Sequence, residues 1–203
     1  QATYNPVLDR RGRCLKVVKV AADITAQKAQ MADCNGQLAA IDKAQAVISF
    51  GLDGTILSAN ENFLTTLGYE LADVVGKHHR IFMDETEAAG EAYRAFWDRL
   101  RRGEYDAGRY RRLGKAGREV WIQASYNPIL DADGKPFKVV KYATDITAQV
   151  RVAQAMENVV AQTLGVVEAV KADNLTTRIS MAGLTGDLMK VANGVNDLLD
   201  TLA

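Results

Sequence analysis

Apolar and polar residues change rhythm several times along this chain, and the changes mark its elements. Ala46 to Phe50 and Thr55 to Ser58 are short apolar runs on either side of Asp53-Gly54, a dipeptide that favours a hairpin because both central positions of the tight turn call for positive φ. Asn60 to Gly68 and Glu70 to Val75 read as two short helices, each stopped by a glycine. Ala88 to Arg101 is a longer amphipathic helix, since Tyr93, Phe96, Trp97 and Leu100 recur at helical spacing. Tyr110 to Leu113, Glu119 to Leu130 and Phe137 to Ile146 are strands, separated by Gly114-Lys115-Ala116-Gly117 and Asp131-Ala132-Asp133-Gly134. The pattern predicts an α+β unit, a five-stranded antiparallel sheet with helices crossing one face.

Helical segments flank this unit, and their apolar residues keep heptad spacing. Before it come Met31, Cys34, Leu38 and Ile41; after it come Ala153, Met156, Val160, Thr163, Val167 and Val170. The rhythm breaks over 172–186, which holds Asn174-Leu175-Thr176-Thr177-Arg178-Ile179 and two glycines. A third helix then carries Leu188, Val191, Val195, Leu198 and Leu202.

The chain also repeats itself. Gln1-Ala2-Thr3-Tyr4-Asn5-Pro6-Val7-Leu8-Asp9 recurs as Gln123-Ala124-Ser125-Tyr126-Asn127-Pro128-Ile129-Leu130-Asp131. Lys16-Val17-Val18-Lys19 recurs as Lys138-Val139-Val140-Lys141, and Asp23-Ile24-Thr25 as Asp145-Ile146-Thr147, with both gaps kept. The expectation is a duplicated unit, with the sequence opening inside the last strands of one copy and holding all of the second.

Composition narrows the classes. The 203 residues are 48% hydrophobic, enough for a core, and 25 Lys+Arg balance 25 Asp+Glu, so no net field draws the chain to nucleic acid or an anionic membrane. No run approaches the ~20 apolar residues of a membrane span. Cys14 and Cys34 are the only cysteines, with Cys34 read as a small apolar helix contact, and a reducing cytosol suits both. There is no phosphate-cradling glycine loop, no nucleophile elbow and no spaced cysteine or carboxylate set, so a non-enzyme is expected.

Ile48-x-Phe50-x-x-Asp53-Gly54-x-Ile56, Asn60-x-x-Phe63 leading to Leu67-Gly68-Tyr69, and the closing Asp145-Ile146-Thr147 resemble the PAS sensor domains. Lys77-His78-His79-Arg80-Ile81-Phe82, Phe96-Trp97 and Tyr126-Asn127-Pro128 are most similar to the tandem PAS domains of soluble methyl-accepting chemotaxis proteins. The helix, irregular connector and helix, with Asn193-x-x-Asn196, resemble a HAMP relay. On this resemblance residues 1–27 are the end of a first PAS domain, 28–45 a linker helix, 46–147 the complete PAS sensor domain, and 148–203 a signalling helix and HAMP-like segment. The resemblance implies a cytoplasmic chemoreceptor fragment that senses a small ligand, gas or redox cue. It would act as a homodimer through its helices and reach a chemotaxis kinase and adaptor through a module outside this sequence. The alternatives are a ligand-free dimerisation scaffold, or the input region of a histidine kinase or nucleotide cyclase.

The candidate site lies where a PAS pocket closes. His78 and His79 are the only histidines, and imidazole ligates iron and zinc; some chemotaxis PAS domains that this one resembles bind haem through a histidine in this region. His78 shares a helical face with Ile81 and Phe82, so it is the expected inward residue and metal ligand, with His79 its alternate. Trp97 is expected in the pocket lining, and Tyr142 as a hydrogen-bond donor from the last strand. Haem b is the first cofactor candidate and non-covalent flavin the second, since neither cysteine lies within 46–147 to form a flavin adduct. Thr147 reads as the N-cap of the following helix.

Overall fold

The computed structural model describes residues 2–202, which form two compact units, 2–45 and 46–202. The first holds strands β1 (Ala2–Leu8) and β2 (Cys14–Ala21) and helix α1 (Thr25–Ala44). β1 and β2 pair antiparallel, Tyr4 opposite Lys19, around a turn in which the Asp9 carboxylate accepts from the amides of Arg11 and Arg13. Met31, Leu38 and Ile41 are exposed on α1, and so is Cys34, which is not the packed contact its spacing suggested. A lone hairpin and helix offer it no facing layer.

The second unit carries β3 (Ala46–Phe50), β4 (Ile56–Ala59), α2 (Glu61–Leu67), α3 (Leu71–Val74), a 3₁₀ turn at His79–Phe82, α4 (Glu85–Ala89), α5 (Glu91–Arg101), β5 (Asp106–Leu113), β6 (Glu119–Leu130) and β7 (Pro136–Asp145). The strands form one antiparallel sheet in the order β4-β3-β7-β6-β5. Strand alternation sends Ile48, Phe50, Ile56, Ile122, Ala124, Val139 and Ala143 to one face, where Phe63, Leu67, Phe82, Phe96, Trp97 and Leu100 cover them. Asn60 fixes the entry to α2: its side-chain oxygen accepts from the amides of Phe63 and Val47, both at 2.9 Å, a cap contributing about 1 kcal/mol.

Several boundaries differ from the sequence reading for local reasons. The β3–β4 turn has positive φ at Gly54 (85°) but not at Asp53, because Gly54 closes on the Gly51 carbonyl and the strand register shifts beside it. A Cβ at Gly54 would meet the His78 ring at 2.7 Å. The helix expected over 88–101 is broken at Gly90 into α4 and α5, and β5 starts at Asp106 rather than Tyr110 because its polar residues pair fully with β6.

Beyond the sheet, α6 (Thr147–Lys171) is followed by a connector and α7 (Gly186–Leu202). Val159 and Val166 of α6 pack with Ile179 and Leu184 of the connector and with Ala192 and Leu199 of α7. The connector bends back along α6, for the Ser180 amide donates to the Gln162 side chain, while the Ile179 amide and carbonyl are both bonded by Asn196. Mid-connector residues 178–180 thus meet α6 at Gln162, nine residues before its end, and α7 at Asn196 and Asp200, in its second half, so the two helices run the same way. The heptad positions divide accordingly. Met156, Val160 and Val167 on α6, and Val191, Leu198 and Leu202 on α7, stay exposed, while the inward seam runs one position away through Val159, Val166, Ala192 and Leu199. Among the described residues no helix is long and apolar enough to cross a membrane.

Candidate functional site

The interior beneath the helices is aromatic with a polar centre. His79 is fully buried, its ring 5.2 Å from Phe50 and 5.7 Å from Trp97. Its Nδ1 lies 3.0 Å from the Tyr93 hydroxyl and its Nε2 3.0 Å from that of Tyr126. A neutral imidazole donates from one nitrogen and accepts at the other, so both tyrosines are served. Burial, and then the nearby Lys141 and Arg112, hold its pKa well below the ordinary histidine value.

His78 takes the other role. It precedes the 3₁₀ turn, its Nδ1 accepts from the Arg80 amide at 3.2 Å, and it lines an open cleft with Asp53, Arg80, Tyr93 and Trp97. The expected order is therefore reversed: His79 points inward and His78 caps the turn, because the segment is a 3₁₀ turn that begins at His79 rather than an α-helix sharing a face with Ile81 and Phe82. Trp97 lies in the core between Phe50 and Phe96. Tyr142 does not join them. β7 pairs Tyr126 with Lys141, and alternation turns Tyr142 to the opposite face of the sheet, away from the helices.

Lys141 occupies the inward place instead. It is fully buried, its Nζ has no hydrogen-bond partner, and it sits 4.8 Å from the centre of the Tyr126 ring and 5.7 Å from that of Phe63. Burial, reinforced by Arg112, lowers its pKa well below the ordinary lysine value. Arg112 of β5 is also buried; it donates to its neighbour's carbonyl and, at 3.3 Å, to the Tyr126 hydroxyl, but its Nε has no partner. The sequence reading missed both, although the apolar neighbours Val139 and Ala143 on the same strand face were a signal for Lys141.

These residues do not fit haem. Both nitrogens of His79 are hydrogen-bonded, His78 is held by the Arg80 amide and abuts Gly54, and the space beside His78 is bordered by Asp53, Arg80, Arg94 and Arg101 rather than by an apolar slot. No group of three or more His, Cys, Asp or Glu able to hold a metal occurs among the described residues.

At the end of β7 the sheet joins α6. The Asp145 carboxylate accepts from the Thr147 amide at 2.8 Å. The Thr147 hydroxyl accepts from the Trp121 amide of β6 at 2.9 Å, and the Ile146 amide donates to the Trp121 carbonyl at 2.8 Å. Thr147 is thus not the N-cap: it is the first helical residue, and Asp145 satisfies its amide. The same Asp-to-Thr bond, at 2.8 Å, opens α1 from Asp23 to Thr25.

Residues 56–143 match the PAS fold family. The five-stranded unit is a PAS sensor domain. Over 155 residues, 76% of this chain, the sequence is 48% identical to the biofilm dispersion protein BdlA of Pseudomonas aeruginosa, and the match spans 37% of that protein's length. Among solved structures, an RNA-binding light-oxygen-voltage receptor aligns with 85% of this chain and 44% of its own at 19% identity and a TM-score of 0.53, which supports the fold alone. A PAS domain from Colwellia psychrerythraea aligns over 62% of this chain and 99% of its own, at 22% identity and a TM-score of 0.47.

Proposed function

We propose that this chain is the sensory and relay section of a cytoplasmic chemoreceptor, in which a small-molecule cue received by the PAS domain is passed through α6, the connector and α7 to a kinase-control module beyond this sequence. The observation that carries the reading is the Asp145–Thr147 junction, where the first residue of α6 is bonded to both β6 and β7. A shift of β6 and β7 displaces the start of α6, provided the cue binds the two arrangements unequally. The connector held by Asn196 between like-directed helices is the arrangement expected of a HAMP relay. The apolar stripe left open by Met156, Val160 and Val167 supports a homodimer through the helices. The repeated hairpin and its Asp-to-Thr bond support a first PAS copy, and kinship with a biofilm dispersion protein suits a behavioural signalling role. No catalytic step is required.

The test is disulfide cross-linking at Val160→Cys in a chain whose Cys14 and Cys34 are changed to Ser, with and without Thr147→Val. The reading expects cross-linking between protomers whose rate changes when the junction bond is removed. An identical rate in both backgrounds would refute transmission through the junction.

A further inference from the structure

We propose that the interior of the PAS domain receives a compact organic carboxylate, with Lys141 and Arg112 taking its anionic head beside His79 and Tyr126. The inference names the ligand class for the sensory reading above and rests on it. Two buried basic side chains, Arg112 and Lys141, each keep a nitrogen without a hydrogen-bond partner, and no carboxylate is bonded to either. The titratable groups facing this centre are His79 from the 3₁₀ turn, Tyr93 from α5, Asp106, Tyr110 and Arg112 from β5, Tyr126 from β6 and Lys141 from β7. The acid among them, Asp106, is bound to Arg99 and to the Tyr110 hydroxyl, and lies two strands away from Lys141. A buried cation without an anion is costly, and a carboxylate would supply the missing charge and acceptors.

A cavity of about 240 Å³ between α5 and β5 has Tyr93, Phe96, Tyr110 and Arg112 on its lining, with Glu87, Arg99 and Asp106 also lining it; the Tyr126 hydroxyl is bonded to Arg112, and Lys141 is buried off that lining, so the head would reach Arg112 first. It suits a small body with one charged end. The Lys–Tyr pair is also not an accident of one strand. Lys19 stands opposite Tyr4 in the first hairpin, its Nζ 5.5 Å from that ring, at the repeat positions of Lys141 and Tyr126. Burial and then Arg112 lower the Lys141 pKa, and a carboxylate beside the amine would raise it again, so binding is coupled to proton uptake.

The test is titration calorimetry of the whole chain with benzoate, pyruvate and succinate as probes and benzamide as the neutral isostere of benzoate, at pH 8 in two buffers of different ionisation enthalpy. At least one carboxylate should bind with proton uptake, and benzamide should bind at least about tenfold more weakly than benzoate where benzoate is the probe that binds. Lys141→Met, checked for folding by circular dichroism, should weaken that carboxylate about tenfold or more and abolish the uptake. Failure of all three probes at millimolar concentration, equal binding of benzoate and benzamide, or undiminished binding by Lys141→Met overturns the proposal. Amide exchange in α6 separates this from the relay. A chain that binds the probe without altered exchange keeps the site and loses the relay. One that binds no probe but whose α6 is uncoupled by Thr147→Val loses the site and keeps the relay.

Discussion

Lys141→Met should stabilise the PAS domain and flatten its pH dependence. The folded domain keeps this amine buried with no hydrogen-bond partner, whereas the unfolded chain leaves it solvated and protonated up to about pH 10. The folded pKa is depressed, so between it and the ordinary lysine value the unfolded state binds more protons. Stability therefore rises with pH over that window, by at most about 1.4 kcal/mol per pH unit for one proton. His79 acts in the same direction, but only below about pH 6.5. Tyr93, Tyr110 and Tyr126, whose pKa values burial raises, begin to bear only at higher pH. The interval from about pH 7 to 9.5 thus isolates Lys141. Methionine has similar length and no polar head, so the substitution relieves the stranded donor and stabilises by about 1–3 kcal/mol at pH 7. Urea unfolding followed by tryptophan fluorescence reads this directly, since Trp97 and Trp121 both lie in the PAS domain. A wild-type stability that is flat from pH 7 to 9.5, or a Lys141→Met chain less stable than wild type at pH 7, would refute the reasoning.

His79→Phe should cost about 2–4 kcal/mol, because it removes the hydrogen bonds to both the Tyr93 and Tyr126 hydroxyls and leaves Tyr126 only its longer bond from Arg112; denaturant midpoints measure it, and a neutral result would contradict the double hydrogen bond. Haem added to wild-type protein should give no histidine-ligated Soret band, and a stoichiometric band lost in a His78 or His79 variant would show that the interior opens further than its hydrogen bonds indicate. Val160→Glu with Val167→Glu should convert a dimer to monomer by light scattering while the PAS fold survives by circular dichroism; an unchanged mass would assign the exposed stripe another partner.

The fold was legible because its cues are local and agree: the Asp53-Gly54 turn, the Asn60 cap, the aromatic helix face and the alternation on β6 all appear in the residues themselves. The repeat was legible too, and its two copies share the Tyr–Lys pairing and the Asp-to-Thr bond. The site was legible only by neighbourhood. His78 and His79 differ by one position, and whether the turn is 3₁₀ or α decides which faces inward. In Lys138-Val139-Val140-Lys141-Tyr142 both faces mix apolar and polar residues, so the segment alone does not fix which is buried. Pairing with β3 and β6 decides it, opposing Lys141 to Ile48 and Tyr126. Arg112 was hidden for a similar reason, since a run of arginines on an edge strand reads as solvated until α5 covers one of them.

The claim on which the account rests most is that the sheet drives α6 through Thr147, and a double-mutant exchange experiment measures it most directly. Val139→Ala loosens the core under β7, and Thr147→Val removes the hydroxyl that binds Trp121. Amide exchange over residues 147–171 should quicken with Val139→Ala when Thr147 is present, and quicken markedly less when it is valine. Equal changes in the two backgrounds would show that the start of α6 is not driven through this junction.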